Sequence, residues 1–162
     1  MNKEEKRISR CISLQALYAY EVSGNQDILI YKKKGKMKSP VFMQHFKHDF
    51  SQYYGDLSSS QLGFSEELYV ASIDNKEYID GLIKERLKNW DISRLAIIDK
   101  LILRMSASEM FFIDEVPPKV SIVEGVEIAK VFSTQDSSNF VNGILDAVYN
   151  EVYINNMKSN KP

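Results

Sequence analysis

Arg94-Leu95-Ala96-Ile97-Ile98-Asp99-Lys100-Leu101-Ile102-Leu103-Arg104-Met105-Ser106-Ala107-Ser108-Glu109-Met110-Phe111-Phe112-Ile113 is the stretch that decides the fold. At 100° per residue its apolar side chains cover almost the whole circumference of a helix. A helix of that kind is central and buried on most sides, so residues 94–113 predict the middle of a helical bundle. Asp99, Arg104 and Glu109 interrupt it, and ionised groups there must be paired or reach an edge. The expectation is an intramolecular ion pair that orients neighbouring helices.

Pro117-Pro118 ends this helix, and residues 121–132 predict the next. Ser133-Thr134-Gln135-Asp136 follows, with Asp136 as the expected cap. From about Ser137 to Tyr153, Phe140, Val141, Ile144, Leu145, Val148 and Val152 share one face, which predicts a last helix. Residues 155–162 are a polar tail. Upstream, residues 4–22 lack Gly and Pro and predict a first helix. Residues 24–38 read as an exposed basic loop. Ser39-Pro40 and the spacing of Phe42, Phe46, Phe50 and Tyr53 predict a helix over about 40–54. Residues 55–64 read as a loop, and Ser65-Glu66-Glu67 opens a helix that runs or breaks near Asp74-Asn75 before Leu87. The expected fold is all-α, with six or seven helices in two sub-bundles sharing helix 94–113, as one domain over 1–154.

The chain has 162 residues, 44 % hydrophobic and 27 % charged, values of an ordinary globular protein. Seven Gly and four Pro exclude collagen-like and proline-rich classes. The single cysteine, Cys11, excludes an internal disulfide and a Cys-rich zinc site, and its Ala/Leu/Ile-rich helix suggests an inert thiol. No signal core or membrane-spanning run is present, so a cytosolic, cytoplasmic protein is expected. Net charge is −1, but unevenly spread. Residues 1–50 carry ten Lys/Arg against five Asp/Glu, and the remainder eleven against seventeen.

Lys3, Lys6, Arg7 and Arg10 fall within an arc of about 100° on the first helix. The stripe turns apolar from Leu14 through Leu17 and Tyr18. It can grip phosphates, or it can be a solvated helix end partly neutralised by Glu4 and Glu5. The Lys32–Lys38 cluster reads first as a solvated loop, and it can add unspecific attraction for RNA phosphate. His45 and His48 are spaced to share a metal on a helix, but no third ligand has matching spacing. Neither a Gly-rich phosphate loop nor a Gly-x-Ser-x-Gly elbow occurs, so no enzyme, cofactor or metal is expected.

Arg10-Cys11-Ile12-Ser13-Leu14-Gln15-Ala16-Leu17-Tyr18-Ala19-Tyr20-Glu21 and the run from Asp99 through Val116-Pro117 and Val120–Phe132 to Phe140-Val141-Asn142-Gly143-Ile144-Leu145-Asp146 together resemble the NusB family. These are bacterial transcription antitermination factors. The resemblance covers residues 3–23 and about 65–152; residues 25–63 depart from it. It implies an all-helical, non-enzymatic protein that pairs with the ribosomal protein NusE. It further implies binding of the boxA element of nascent ribosomal RNA transcripts, and joining of RNA polymerase with other Nus factors. The family contains monomers and dimers, so a homodimer is compatible with it.

By the same resemblance the arginine-rich first helix falls on Lys6, Arg7, Ile8 and Arg10, where Ile8 departs from the basic pattern. Lys3 extends that stripe. Asp136 and Phe140 fall in the family's RNA neighbourhood, while Tyr18 and Asp99 fall on its partner-protein surface. The competing classes are a helical protein-interaction module without RNA contact and the helical RNA-binding segment of an RNA cytosine methyltransferase. The latter enzyme is not expected to be complete in a chain ending at Pro162. A hydrolase using His45 and His48 is the third.

Overall fold

The computed structural model describes residues 1–22, 31–33, 36–38, 53–88 and 91–155. Among these are six α-helices and one short two-stranded hairpin, in two compact units, Met1–Asp74 and Asn75–Pro162. The expected Phe42/Phe46/Phe50 stripe and the pair His45/His48 lie outside the described residues.

The first unit is built on α1 (Lys3–Val22) and α2 (Ser59–Asp74), which pack together. Both start with reciprocal capping. Asn2 N donates to Glu5 Oε2 at 2.8 Å and Glu5 N to Asn2 Oδ1 at 2.9 Å. Ser58 N donates to Gln61 Oε1 at 3.0 Å and Gln61 N to Ser58 Oγ at 3.1 Å. Each pair satisfies two backbone donors that a helix start would otherwise leave open. The second box moves the start of α2 to Ser59, six residues before the expected Ser65, and leaves only a short loop. Gly55 in that loop has φ +76°, a conformation that suits glycine.

Serines bring α1 and α2 close. Ser13 Oγ donates to the Ser65 carbonyl at 2.7 Å, and Ser65 Oγ donates to the Ser9 carbonyl at 3.0 Å. All three serines are fully buried, so their hydroxyls satisfy each other's helices. The same unit holds β1 (Tyr31–Lys33) and β2 (Lys36–Lys38). They pair antiparallel with Tyr31 opposite Lys38, Lys32 opposite Met37 and Lys33 opposite Lys36. The segment read as a basic loop therefore contains a strand ladder, invisible to a reading based on apolar alternation.

The second unit contains α3 (Lys76–Arg86), a 3-10 turn (Ile92–Arg94), α4 (Ile97–Phe112), α5 (Pro118–Phe132) and α6 (Gln135–Val148), extended by a π turn (Tyr149–Ile154). α4 packs on α3, α5 and α6. Every residue from Leu101 to Met110 is buried, as its all-round apolar sequence requires. The helix is shorter than predicted, because Leu95 and Ala96 are extended (ψ 145° and 136°). Asp91 caps the preceding turn by accepting from Ser93 N at 3.0 Å, and this bond holds its carboxyl below the usual range.

α5 starts at Pro118, not Ser121, because proline at the first helical position lacks only a donor that would be unpaired there. α6 is capped by Thr134, whose Oγ1 accepts from Ser137 N at 3.1 Å. Asp136, the expected cap, sits instead in the first turn, where the helix dipole favours an acid. α5 and its neighbours meet at Gly125. A Cβ there would run into Ser106 Oγ and lie 3.2 Å from Leu145 Cδ1.

Candidate nucleic-acid interface

The start of α1 carries the basic stripe. Lys3 is exposed, Lys6, Arg7 and Ile8 are half-buried, and Arg10 is only 3 % exposed. Phe64 of α2, itself buried, draws two of the cations together. Lys6 Nζ lies 5.6 Å and Arg10 Cζ 5.5 Å from the centre of its ring. An aromatic face attracts a cation through its quadrupole, most strongly where water is excluded. Lys6 and Arg10 are thus converged on one ring. The expectation of four open cations needs one correction: Arg10 is buried, and it underpins the stripe through Phe64. Lys3, Lys6 and Arg7 form the accessible part.

Further along α1, Tyr18 is 42 % exposed. On the inner side Gln15 Nε2 donates to Tyr54 Oη at 3.0 Å. Burial pushes the Tyr54 phenol above its ordinary value, with the nearby Cys11 adding to the shift and the Gln15 bond opposing it. Cys11 is a free, half-buried thiol.

In the second unit, a cavity of about 310 Å³ lies where α4 and α6 begin. Arg94, Leu95, Ala96 and Asp99 line it from one side of the sequence, and Asp136, Ser137 and Phe140 from the other. Asp99 is 8 % exposed, and both carboxylate oxygens accept hydroxyl bonds: Oδ1 from Ser133 Oγ and Oδ2 from Ser137 Oγ, each 2.8 Å. The family resemblance implies a protein-facing surface for Asp99 and an RNA neighbourhood for Asp136 and Phe140. The structure places all three on one cavity, with Asp99 tied down by serines, Asp136 exposed and Phe140 half-buried. Phe140 offers a ring face, Asp136 an acceptor for an amino group, and Arg94 a planar cationic donor.

Sequence reasoning missed Phe64, Arg94, Ser133 and Ser137. Capping propensity marks the serines, but nothing in one dimension pairs them with Asp99. Among the described residues no group of three or more His, Cys, Asp or Glu side chains is placed to hold a metal ion. No helix among them is long and apolar enough to cross a membrane.

Comparison with known proteins agrees with this architecture. The NusB family model matches residues 7–150. A transcription antitermination protein NusB from Chloroherpeton thalassium is 40 % identical over 147 residues, covering 91 % of this chain and 62 % of the relative. This chain therefore spans less than two thirds of that relative's length. The NusB of Geotalea uraniireducens is 36 % identical over 143 residues, covering 88 % of this chain and 92 % of the relative. Among solved structures, T. maritima NusB superposes with a TM-score of 0.71 at 27 % identity, over 93 % of this chain and 94 % of that one. A structure of NusB and NusE in complex with double-stranded RNA superposes with a TM-score of 0.69 at 19 % identity, covering 92 % and 98 %. On the family match across residues 7–150 and these identities, the chain belongs to the NusB family.

Proposed function

We propose that this chain is a transcription antitermination factor that binds boxA-type single-stranded RNA of nascent ribosomal RNA transcripts together with NusE. In this reading the complex then joins RNA polymerase and further Nus factors. The observation that carries the proposal is the convergence of Lys6 and Arg10 on Phe64, with Lys3 and Arg7 beside them. Lys3, Lys6 and Arg7 hold backbone phosphates, and Arg10 keeps the stripe in place. Few phosphate contacts give weak binding alone, which suits a factor whose affinity is completed by a partner protein. The cavity at Asp136 and Phe140 takes an unstacked base. Tyr18 serves the NusE surface. Asp99 serves it indirectly, because its carboxylate is engaged by Ser133 and Ser137.

Support from relatives is of two kinds. The curated relatives are named antitermination proteins, and a related structure is described as holding both NusE and double-stranded RNA. The test is filter binding of a boxA RNA to this chain with and without NusE, using the double variant Lys6→Glu/Arg7→Glu. Loss of RNA binding with a thermal melt lowered by little more than the lost Lys6–Phe64 attraction, about 0.5–1 kcal/mol, is the expected result. Full affinity in the double variant would leave only a helical protein-interaction module, checked by NusE pull-down without RNA.

A further inference from the structure

Tyr78, in the first turn of α3, meets Phe111 and Phe112 at the C-terminal end of α4. Its ring centre lies 6.5 Å from that of Phe111 and 6.3 Å from that of Phe112, with interplanar angles of 77° and 71°. The two phenylalanine rings are 6.4 Å apart at 56°. Edge-to-face contacts of this kind fix rings against one another. Yet Tyr78 is 52 % and Phe112 38 % exposed, while Phe111 is half-buried. Single apolar side chains on a surface are ordinary, but three rings joined in one exposed cluster mark an interface. Because the rings already hold each other, little side-chain freedom is left to lose on binding. Gly81, one turn on from Tyr78 in α3, is exposed, and a Cβ added there would meet nothing within 4 Å. Residues three apart share a helix face, so the face beside Tyr78 is open.

Carboxylates flank the cluster in sequence on both elements. Glu77 precedes Tyr78, and Asp114 and Glu115 follow Phe112. All three are exposed, and none forms a salt bridge among the described residues. The lysines on the same stretches are Lys119, which is exposed, and Lys76, which is half-buried and has a partner within the chain. Acid is therefore in excess around the rings.

We propose that this aromatic cluster docks a further protein of the polymerase assembly, one that presents an apolar anchor beside arginine or lysine. The proposal rests on the antitermination reading above and adds a surface at the opposite end of α4 from the cavity at Asp99. Charge complementarity chooses the occupant. A guanidinium pairs with a carboxylate and also lies against an aromatic face, and this surface offers both. RNA is the poorer match, because its phosphates would meet Glu77, Asp114 and Glu115. A second copy of this chain is poorer too, because a two-fold contact would set one acidic rim against the other.

The experiment assembles the full chain with NusE, a boxA RNA, purified RNA polymerase and the further Nus factors. A photo-crosslinking p-benzoylphenylalanine replaces Tyr78, and mass spectrometry identifies the segment it captures. The expected capture is a segment of a protein other than NusE, with Arg or Lys beside an apolar side chain. Tyr78→Ser/Phe112→Ser should lower affinity for the polymerase assembly about tenfold or more. Gly81→Gln covers the open face without removing a ring, and it should lower that affinity while raising the thermal midpoint, since glutamine favours a helix more than glycine does. Reversing the rim, as Glu77→Lys/Asp114→Lys/Glu115→Lys, should weaken docking most at low salt. Binding of NusE and of boxA RNA should be unchanged in every variant. Normal docking by the serine and Gly81→Gln variants overturns the inference. So does the absence of any crosslink, or a crosslink to NusE, to RNA, to a second copy of this chain or to a segment without a basic residue. Intact NusE and RNA binding in the same samples would then leave the parent reading standing. If the unaltered chain binds neither NusE nor boxA RNA, the parent reading falls and the docking surface with it.

Discussion

Arg104 and Asp80 form a two-point ion pair between α4 and α3: Nε to Oδ1 at 2.8 Å and Nη2 to Oδ2 at 2.9 Å. Arg104 is 2 % exposed, so its charge depends on this fixed fork of donors meeting a carboxylate. Asp80→Ala should cost about 3 kcal/mol, because it removes both of these charge-assisted bonds from a buried cation. Replacing both partners, as Arg104→Met/Asp80→Leu, should recover most of that loss. Urea unfolding of the three variants checks this, and a double variant no better than Asp80→Ala would show that the pair is not what anchors α3.

Gly125 gives a second test of packing. The helix propensity of alanine favours Gly125→Ala by about 1 kcal/mol. The contacts oppose it, since the added Cβ meets Ser106 Oγ, which can rotate, but also Ser106 Cβ at 3.1 Å and Leu145 Cδ1 at 3.2 Å. Crowding of this kind costs about 1–3 kcal/mol and should outweigh the propensity gain. Gly125→Val should be worse still. Thermal melts of the two variants order the effects, and a stabilised Gly125→Ala would mean that Ser106 and Leu145 give way easily.

Periodicity carried much of the architecture. The apolar circumference of 101–110 and the single apolar face from Phe140 to Val148 are local signals, and both helices formed, with starts at Ile97 rather than Arg94 and at Gln135 rather than Ser137. The start of α2 was misread because Ser58, Ser59, Ser60 and Gly63 look like a loop by composition. The Ser58–Gln61 capping box was the competing local signal, and it decides the helix start. Contacts that build the candidate sites are of another kind. Phe64 lies more than fifty residues from Lys6 and Arg10, and Asp99 reaches serines 34 and 38 residues away. Tertiary packing sets such pairs, and one sequence has no term that reports it. That is also why Arg10 read as an open cation when it is a buried one.

Phe64→Leu separates packing from cation alignment. Leucine keeps most of the apolar contact, so stability should fall by about 1–3 kcal/mol, of which the two lost cation–π attractions supply about 1–2 kcal/mol. With the ring gone, Lys6 and Arg10 lose their common anchor, and boxA affinity should fall several-fold. Filter binding alongside the melt checks both. Unchanged affinity would mean that the stripe aligns itself without Phe64.

The serines around Asp99 make a matching prediction in the second unit. Ser133→Ala and Ser137→Ala each remove one hydroxyl donor from a carboxylate that is 8 % exposed. Each should cost about 1–2 kcal/mol, since bonds to ionised groups are the stronger ones and water reaches the cavity only in part. The double variant should also weaken NusE capture in a pull-down, if Asp99 acts through its fixed orientation. Full capture by a destabilised double variant would restrict Asp99 to a structural role.

Tyr54 links the first unit to alkaline pH. Its phenol has a raised native value, chiefly through burial, so the folded chain keeps a proton that the unfolded chain gives up near pH 10. The stability this supplies is fully present below about pH 10 and is lost as pH rises through the higher native value. The difference in urea midpoint between the unaltered chain and Tyr54→Phe should therefore be constant from pH 7 to about 9, then change as pH passes 10, with the phenylalanine variant losing less. Since Gln15 donates to the phenol oxygen and partly offsets the shift, Gln15→Leu should leave the onset of that loss near pH 10 but make the loss larger and extend it to higher pH. An identical pH profile in Tyr54→Phe would assign the alkaline loss to other groups, the lysines first among them.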